Sequence, residues 1–180
     1  MNLLRLAGAV CFATLAALAQ SPSVSNLSTR VQVGTGQDLL IVGFNVGPGT
    51  DQTMLIRATG PALAGFGVTG VLADPKLELF SGATKIGEND NWGTPVGPEA
   101  FAAPALSSAF SQNGAFAFTP GSRDAALIAE FQPGSYTVLV SGVGSSSGVA
   151  LVEIYDLTPV GPPGGRRPGP AASPLIFGRT

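Results

Sequence analysis

An all-β fold, an antiparallel β-sandwich with a jelly-roll-like arrangement, is what this chain predicts, with about nine short strands and one short helical segment. A closed barrel is the second choice. Two observations point there. Short β-type runs recur along the sequence, each closed by Gly, Pro, Asn or Asp. Several of them alternate apolar and polar residues with period two, the mark of a sheet with one buried face. The 25 Gly and 15 Pro among 180 residues leave no room for long helices.

The runs come in order as Leu27 to Val33, Asp38 to Val46, Thr53 to Thr59, Leu77 to Phe80 and Thr84 to Glu88. Ala115 to Thr119, Ala125 to Phe131, Ser135 to Ser141 and Val149 to Tyr155 follow. Met54, Ile56 and Ala58 share one face of their strand, as do Phe116 with Phe118, and Tyr136 with Val138 and Val140. Leu39 to Val42 is apolar without interruption, which predicts a central strand covered on both faces. Pro133-Gly134 predicts a tight turn, making Ala125 to Ser141 a hairpin. The Gly-rich stretch Gly142 to Gly148 predicts a loop closing a second one. Pro98 to Phe110 reads as helical, with Phe101, Ala105 and Ala109 four residues apart. Pro104 in its middle is expected to break it into one or two turns, and Pro61 to Phe66 predicts another short turn.

The ends of the chain read differently. Residues 1–19 have the form of a secretory signal: Arg5, then an apolar stretch from Leu6 to Leu18, then Ala17-Leu18-Ala19 as a cleavage site. Cleavage there removes Cys11, the only cysteine, so neither a disulfide nor a thiol nucleophile remains. Residues 20–157 form the sandwich domain in this reading. Residues 158–180 hold six Pro and five Gly and read as a tail unable to build a core. Pro174-Leu175-Ile176-Phe177 is an apolar patch within it, either a docking peptide or a loose end.

Composition excludes several kinds of chemistry. The chain has no His, so no Ser-His-Asp triad, Cys-His dyad or His-ligated zinc site can be built from it alone. Between Gln20 and Pro159 there are five basic residues (Arg30, Arg57, Lys76, Lys85, Arg123) and eleven acidic ones. A net charge of about −6 argues against nucleic acid and against anionic membrane as partners. After signal cleavage nothing is left to insert into a membrane.

A set of phrases also occurs in fixed order: Asn26-Leu27-Ser28-Thr29-Arg30, Val33-Gly34-Thr35-Gly36, Leu55-Ile56-Arg57-Ala58-Thr59-Gly60-Pro61, Asn89-Asp90-Asn91-Trp92-Gly93, Gly121-Ser122-Arg123-Asp124-Ala125-Ala126-Leu127 and Glu153-Ile154-Tyr155-Asp156. Together they resemble an uncharacterised module repeated in large secreted or surface-attached proteins of environmental bacteria. The middle and end are distantly similar to the small β-sandwiches at the C-terminal side of secreted bacterial peptidases. The resemblance spans Asn26 to Asp156 and implies an exported, non-catalytic module; the expected role is a structural or adhesive one, with an extracellular protein or polysaccharide surface as partner. It supplies no binding residues.

Three constellations carry possible chemistry. Glu88, Asn89 and Asp90, with Glu99 nearby, offer oxygen ligands for calcium, or else a polar turn bonded to its own backbone. Trp92 with Asp90 and Asn91 offers a stacking ring and hydroxyl partners for a sugar, or else a core plug. Arg57 sits in an apolar strand on the side opposite Met54 and Ile56, so it needs a carboxylate, with Asp74, Asp124 and Glu153 as candidates for a structural ion pair. Eleven carboxylates exist, but nothing singles out a catalytic pair.

Overall fold

The computed structural model describes residues 25–49, 51–97 and 100–158. Residues 1–24, which hold the signal-like segment, Thr50, Pro98, Glu99 and residues 159–180 of the tail lie outside the described residues. Eight strands are present: β1 (Asn26–Val33), β2 (Leu40–Val46), β3 (Gln52–Thr59), β4 (Pro75–Ser81), β5 (Thr84–Asn89), β6 (Ala125–Phe131), β7 (Gly134–Gly142) and β8 (Gly148–Asp156). One helix, α1 (Ala103–Gln112), lies between β5 and β6, and a 3-10 helix spans Pro61–Phe66.

The strands form two four-stranded antiparallel sheets, ordered β1-β8-β3-β6 and β2-β7-β4-β5. Pairing is nested: β1 with β8, β2 with β7, β3 with β6 and β4 with β5. This is the wiring of a jelly roll, a long hairpin rolled on itself. It explains why both expected hairpins are absent. Pro133 joins β6 of the first sheet to β7 of the second, and Gly142 to Gly148 carries the chain back. Each turn crosses between sheets rather than closing a ladder.

Between the sheets lie Met54, Ile56 and Ala58 of β3, Ala150, Val152 and Ile154 of β8, Leu77 and Leu79 of β4, and Val138 and Val140 of β7. The period-two residues therefore meet across the sandwich, about 10 Å from sheet to sheet. Leu72 is fully buried there, and its N–H donates to the Val149 carbonyl at 2.8 Å. Gly60 and Gly148 approach the Leu72 backbone so closely that a Cβ at either would overlap it.

Three expectations are corrected. The uninterrupted apolar run Leu39 to Val42 is not central: β2 is an edge strand, and Ile41 is 61% exposed. Ala115 to Thr119 is not a strand; Phe116 and Phe118 do point the same way, but onto a sheet rather than within one. Pro104 does not break its helix. It stands in the first turn of α1, where no N–H is needed and the fixed φ suits the helix. The helix therefore starts later than expected and continues to Gln112.

Residues 90–97 and 100–124, which include α1, return across the outer face of the first sheet. Leu55 of β3, Ala126 and Ile128 of β6 and Tyr155 of β8 are buried beneath Trp92, Leu106, Phe110 and Phe118 of this excursion. The second sheet has no such cover among the described residues.

Candidate functional site

Beneath the excursion Arg57 is completely buried. Strand alternation turns its side chain away from the sandwich interior, and Glu153 sits opposite it in the β3–β8 register. Arg57 Nε stands 3.5 Å from Glu153 Oε2, an ion pair too long for a good hydrogen bond. The guanidinium carbon also lies 4.5 Å from the Phe110 and Phe116 ring centroids and 4.1 Å from that of Phe118. Cation–π attraction is strongest when the cation is desolvated, as here. Burial pulls the Arg57 pKa below its ordinary value, and the Glu153 charge opposes that pull. The second Glu153 oxygen accepts from the Tyr155 hydroxyl at 2.7 Å. Burial first, and this hydrogen bond second, push the Tyr155 phenol up to about 12.

The expected ion pair thus forms between Arg57 and Glu153, while the other two candidates go elsewhere. Asp124 is fully buried and accepts from the Gly60 and Ala62 N–H groups at 2.8 and 3.2 Å and from the Ser122 hydroxyl at 2.7 Å. It ties the entry to β6 to the start of the 3-10 helix. Asp74 meets Arg123 at 3.0 Å on the surface.

The Glu88 to Trp92 loop is largely occupied with holding the excursion. Asn89 is buried; its amide nitrogen donates to the Asn91 and Thr94 carbonyls, and its oxygen accepts from the Ala126 N–H at 3.1 Å. Trp92 is only 4% exposed. Its ring packs on Phe110 and Phe118, and its indole N–H donates to the Thr119 carbonyl at 3.3 Å. It presents no open face for a sugar. Asn91 donates to Asp90 at 3.1 Å. Glu99 lies outside the described residues, so the calcium set is seen only in part. No cluster of three or more potential metal ligands occurs among the described residues.

Glu88 faces the other way, onto the open side of the second sheet. Lys85 donates to it at 2.7 Å and Lys76 at 3.1 Å, and both lysines also reach Glu78, at 3.2 and 3.3 Å. These contacts raise both lysine pKa values and hold the Glu88 carboxyl below its ordinary range, with Lys85 the main cause. Lys85 and Glu88 are three apart, which in a regular strand would put them on opposite faces. A register shift between Leu79 and Phe80 of β4, with Lys85 and Gly87 as the β5 partners, leaves Ile86 as the extra residue and restores the common face. The sequence signal for this quartet was the β4–β5 hairpin itself, with Lys76 and Glu78 two apart. The rest of the open face carries Ile41 and Asn45 of β2 and Ser135, Thr137 and Leu139 of β7, in register across the two strands.

Between the quartet and the loop lies a small cleft of about 440 Å³, lined by Lys76, Glu88, Asn89, Asp90 and the Gly142–Gly144 turn. Among the described residues no helix is long and apolar enough to cross a membrane. In comparisons with family models, curated proteins and solved structures, nothing matches this chain.

Proposed function

We propose that this protein is a non-catalytic, secreted structural or adhesive β-sandwich module that works through the open face of its second sheet. One observation carries the reading: the sandwich is asymmetric, with one outer sheet face covered by its own chain over β3, β6 and β8 and the other left broad and uncovered. The open face mixes Ile41, Leu139 and Phe80 with Thr137, Asn45 and the Lys76–Glu78–Lys85–Glu88 quartet. Such a mixture of aliphatic, aromatic and paired polar groups suits contact with a protein or polysaccharide surface. The buried polar groups Arg57, Asn89, Asp124 and Glu153 hold elements together, which favours scaffold over chemistry. The signal-like pattern of residues 1–19 and the resemblance over Asn26 to Asp156 favour export.

The alternative is a carbohydrate-binding module centred on the Glu88 to Trp92 loop, with calcium as a structural ion. It is favoured by the polar cleft beside Asp90, and it would have to work without Trp92 as a platform. Retention of the purified protein on immobilised polysaccharides and on extracellular protein coats separates the two. Loss of retention on Ile41→Asp or Thr137→Glu supports the open sheet face. Retention that survives those changes and fails with Asp90→Ala and Asn91→Ala transfers the function to the cleft. Hydrolytic turnover abolished by replacing one carboxylate would overturn both.

A further inference from the structure

At the opposite edge of the sandwich the two sheets end in β6 and β5, each with a backbone edge unpaired within its sheet. Between them, flanked by Pro95–Gly97 and by Ala100 and Phe101, runs a groove of about 620 Å³. Ile86, Val96, Phe101, Leu127 and Ile128 line it, and Glu130 stands at its rim. Ile86, Val96 and Phe101 are 48%, 43% and 45% exposed, an apolar concentration that surface positions rarely carry without an occupant. Ile86 is the bulge residue of β5, turned out of the ladder and into this groove.

We propose that the groove is the docking site for Pro174–Phe177 of the same chain. Three observations select this occupant. The described chain ends against the groove: Leu157 donates to the Thr53 carbonyl at 2.8 Å, the Thr53 N–H donates to the Thr158 hydroxyl at 3.1 Å, and Thr53 lines the groove. The reach is sufficient. Fifteen residues separate Thr158 from Pro174, and at no more than about 3.3 Å each they extend up to about 50 Å. The seven residues of β6 span about 24 Å. Charge is complementary, since residues 159–180 contain Arg166, Arg167 and Arg179 and no carboxylate side chain, whereas the domain is acidic. Glu130 at the rim is exposed and has no basic partner among the described residues. Leu175, Ile176 and Phe177 supply apolar side chains to match those that line the groove. The tether makes the encounter intramolecular, with an effective concentration that a second molecule does not reach in dilute solution. Docking also covers two sheet edges that would otherwise invite pairing with another chain.

Backbone amide spectra of the full chain, compared with those of the Leu175→Asp/Phe177→Asp variant, test this. The expected result is a shift of the Ile86, Gly87, Ile128 and Glu130 signals, unchanged on dilution, with the β1 and β2 signals unmoved. Ile86→Asp, at an exposed position, is expected to move the Leu175 to Phe177 signals in turn. Superimposable spectra for both variants would overturn the proposal. Shifts that disappear on dilution would overturn the intramolecular occupant and assign the groove to the tail of a second copy.

Discussion

The first sheet is buried on both faces at β3, β6 and β8, with β1 left exposed at its edge, whereas the second keeps one face in water, although each has four strands and a similar apolar interior. The difference comes from the long connection between β5 and β6. It starts at the edge of the second sheet, crosses to the first, and lays Trp92, Phe110, Phe116 and Phe118 over β3 and β8. A buried face favours pairing of any polar group on it, because desolvation without a partner costs several kcal/mol. Tyr155 donates to Glu153, and Arg57 meets Glu153 only as an ion pair at 3.5 Å, its guanidinium nitrogens without a hydrogen-bond partner among the described residues and set among three aromatic rings. On the open face oppositely charged side chains form the partly exposed quartet of Lys76, Glu78, Lys85 and Glu88, where water screens each contact. Equal-looking ion pairs thus have unequal consequences, set by what lies above the sheet.

The strongest way to break this contrast is to remove one charge from each face. Glu153→Gln leaves the Arg57 charge buried and is expected to cost about 3–5 kcal/mol in urea unfolding. A loss below about 1 kcal/mol would mean that water reaches Arg57. Glu88→Gln on the open face, measured the same way, should fall within about 0.5 kcal/mol of wild type.

Stripping the cover is the next test. Phe110→Ala is expected to destabilise by about 3 kcal/mol, through lost packing and a weakened ring cage around Arg57. The Trp92 emission, which reports the same cluster, should shift to the red.

Alkaline titration sharpens the contrast through Tyr155. Its phenol ionises near 10 when unfolded and at about 12 in the native protein. Between these values the unfolded chain binds fewer protons, so stability should fall as pH rises from 10 to 12, by about 2 kcal/mol in all. Tyr155→Phe should remove most of that slope. An unchanged slope in the variant would sink the assignment. The smallest effect is expected at Ile41→Thr, on the uncovered face, at about 0.5 kcal/mol or less in the same unfolding assay.

Much of the local structure was legible in the residues. β6 begins and ends where its β-type run does, and the other strands differ from their runs by one or two residues at an end. Arg57 announced its need for a carboxylate because a charged side chain in an apolar strand has few other solutions. Which of the three candidate carboxylates would meet it was not legible, since Glu153 is 96 positions away and meets Arg57 only through the β3–β8 register. Nor was the fate of Trp92, whose neighbours arrive from α1 and from the segment after it.

The amino-acid order by itself determined eight of the nine strand runs, Ala115 to Thr119 being the exception, and where most turns fall, because these depend on neighbours one to four residues away. Tertiary structure alone decided which strands pair, which is central and which face is sealed. β2 shows the physical reason: its unbroken apolar run describes a strand able to be buried on both sides, and only the nested wiring puts it at an edge with Ile41 in water. β3, interrupted by Arg57, takes the covered place because the β5–β6 connection happens to return over it.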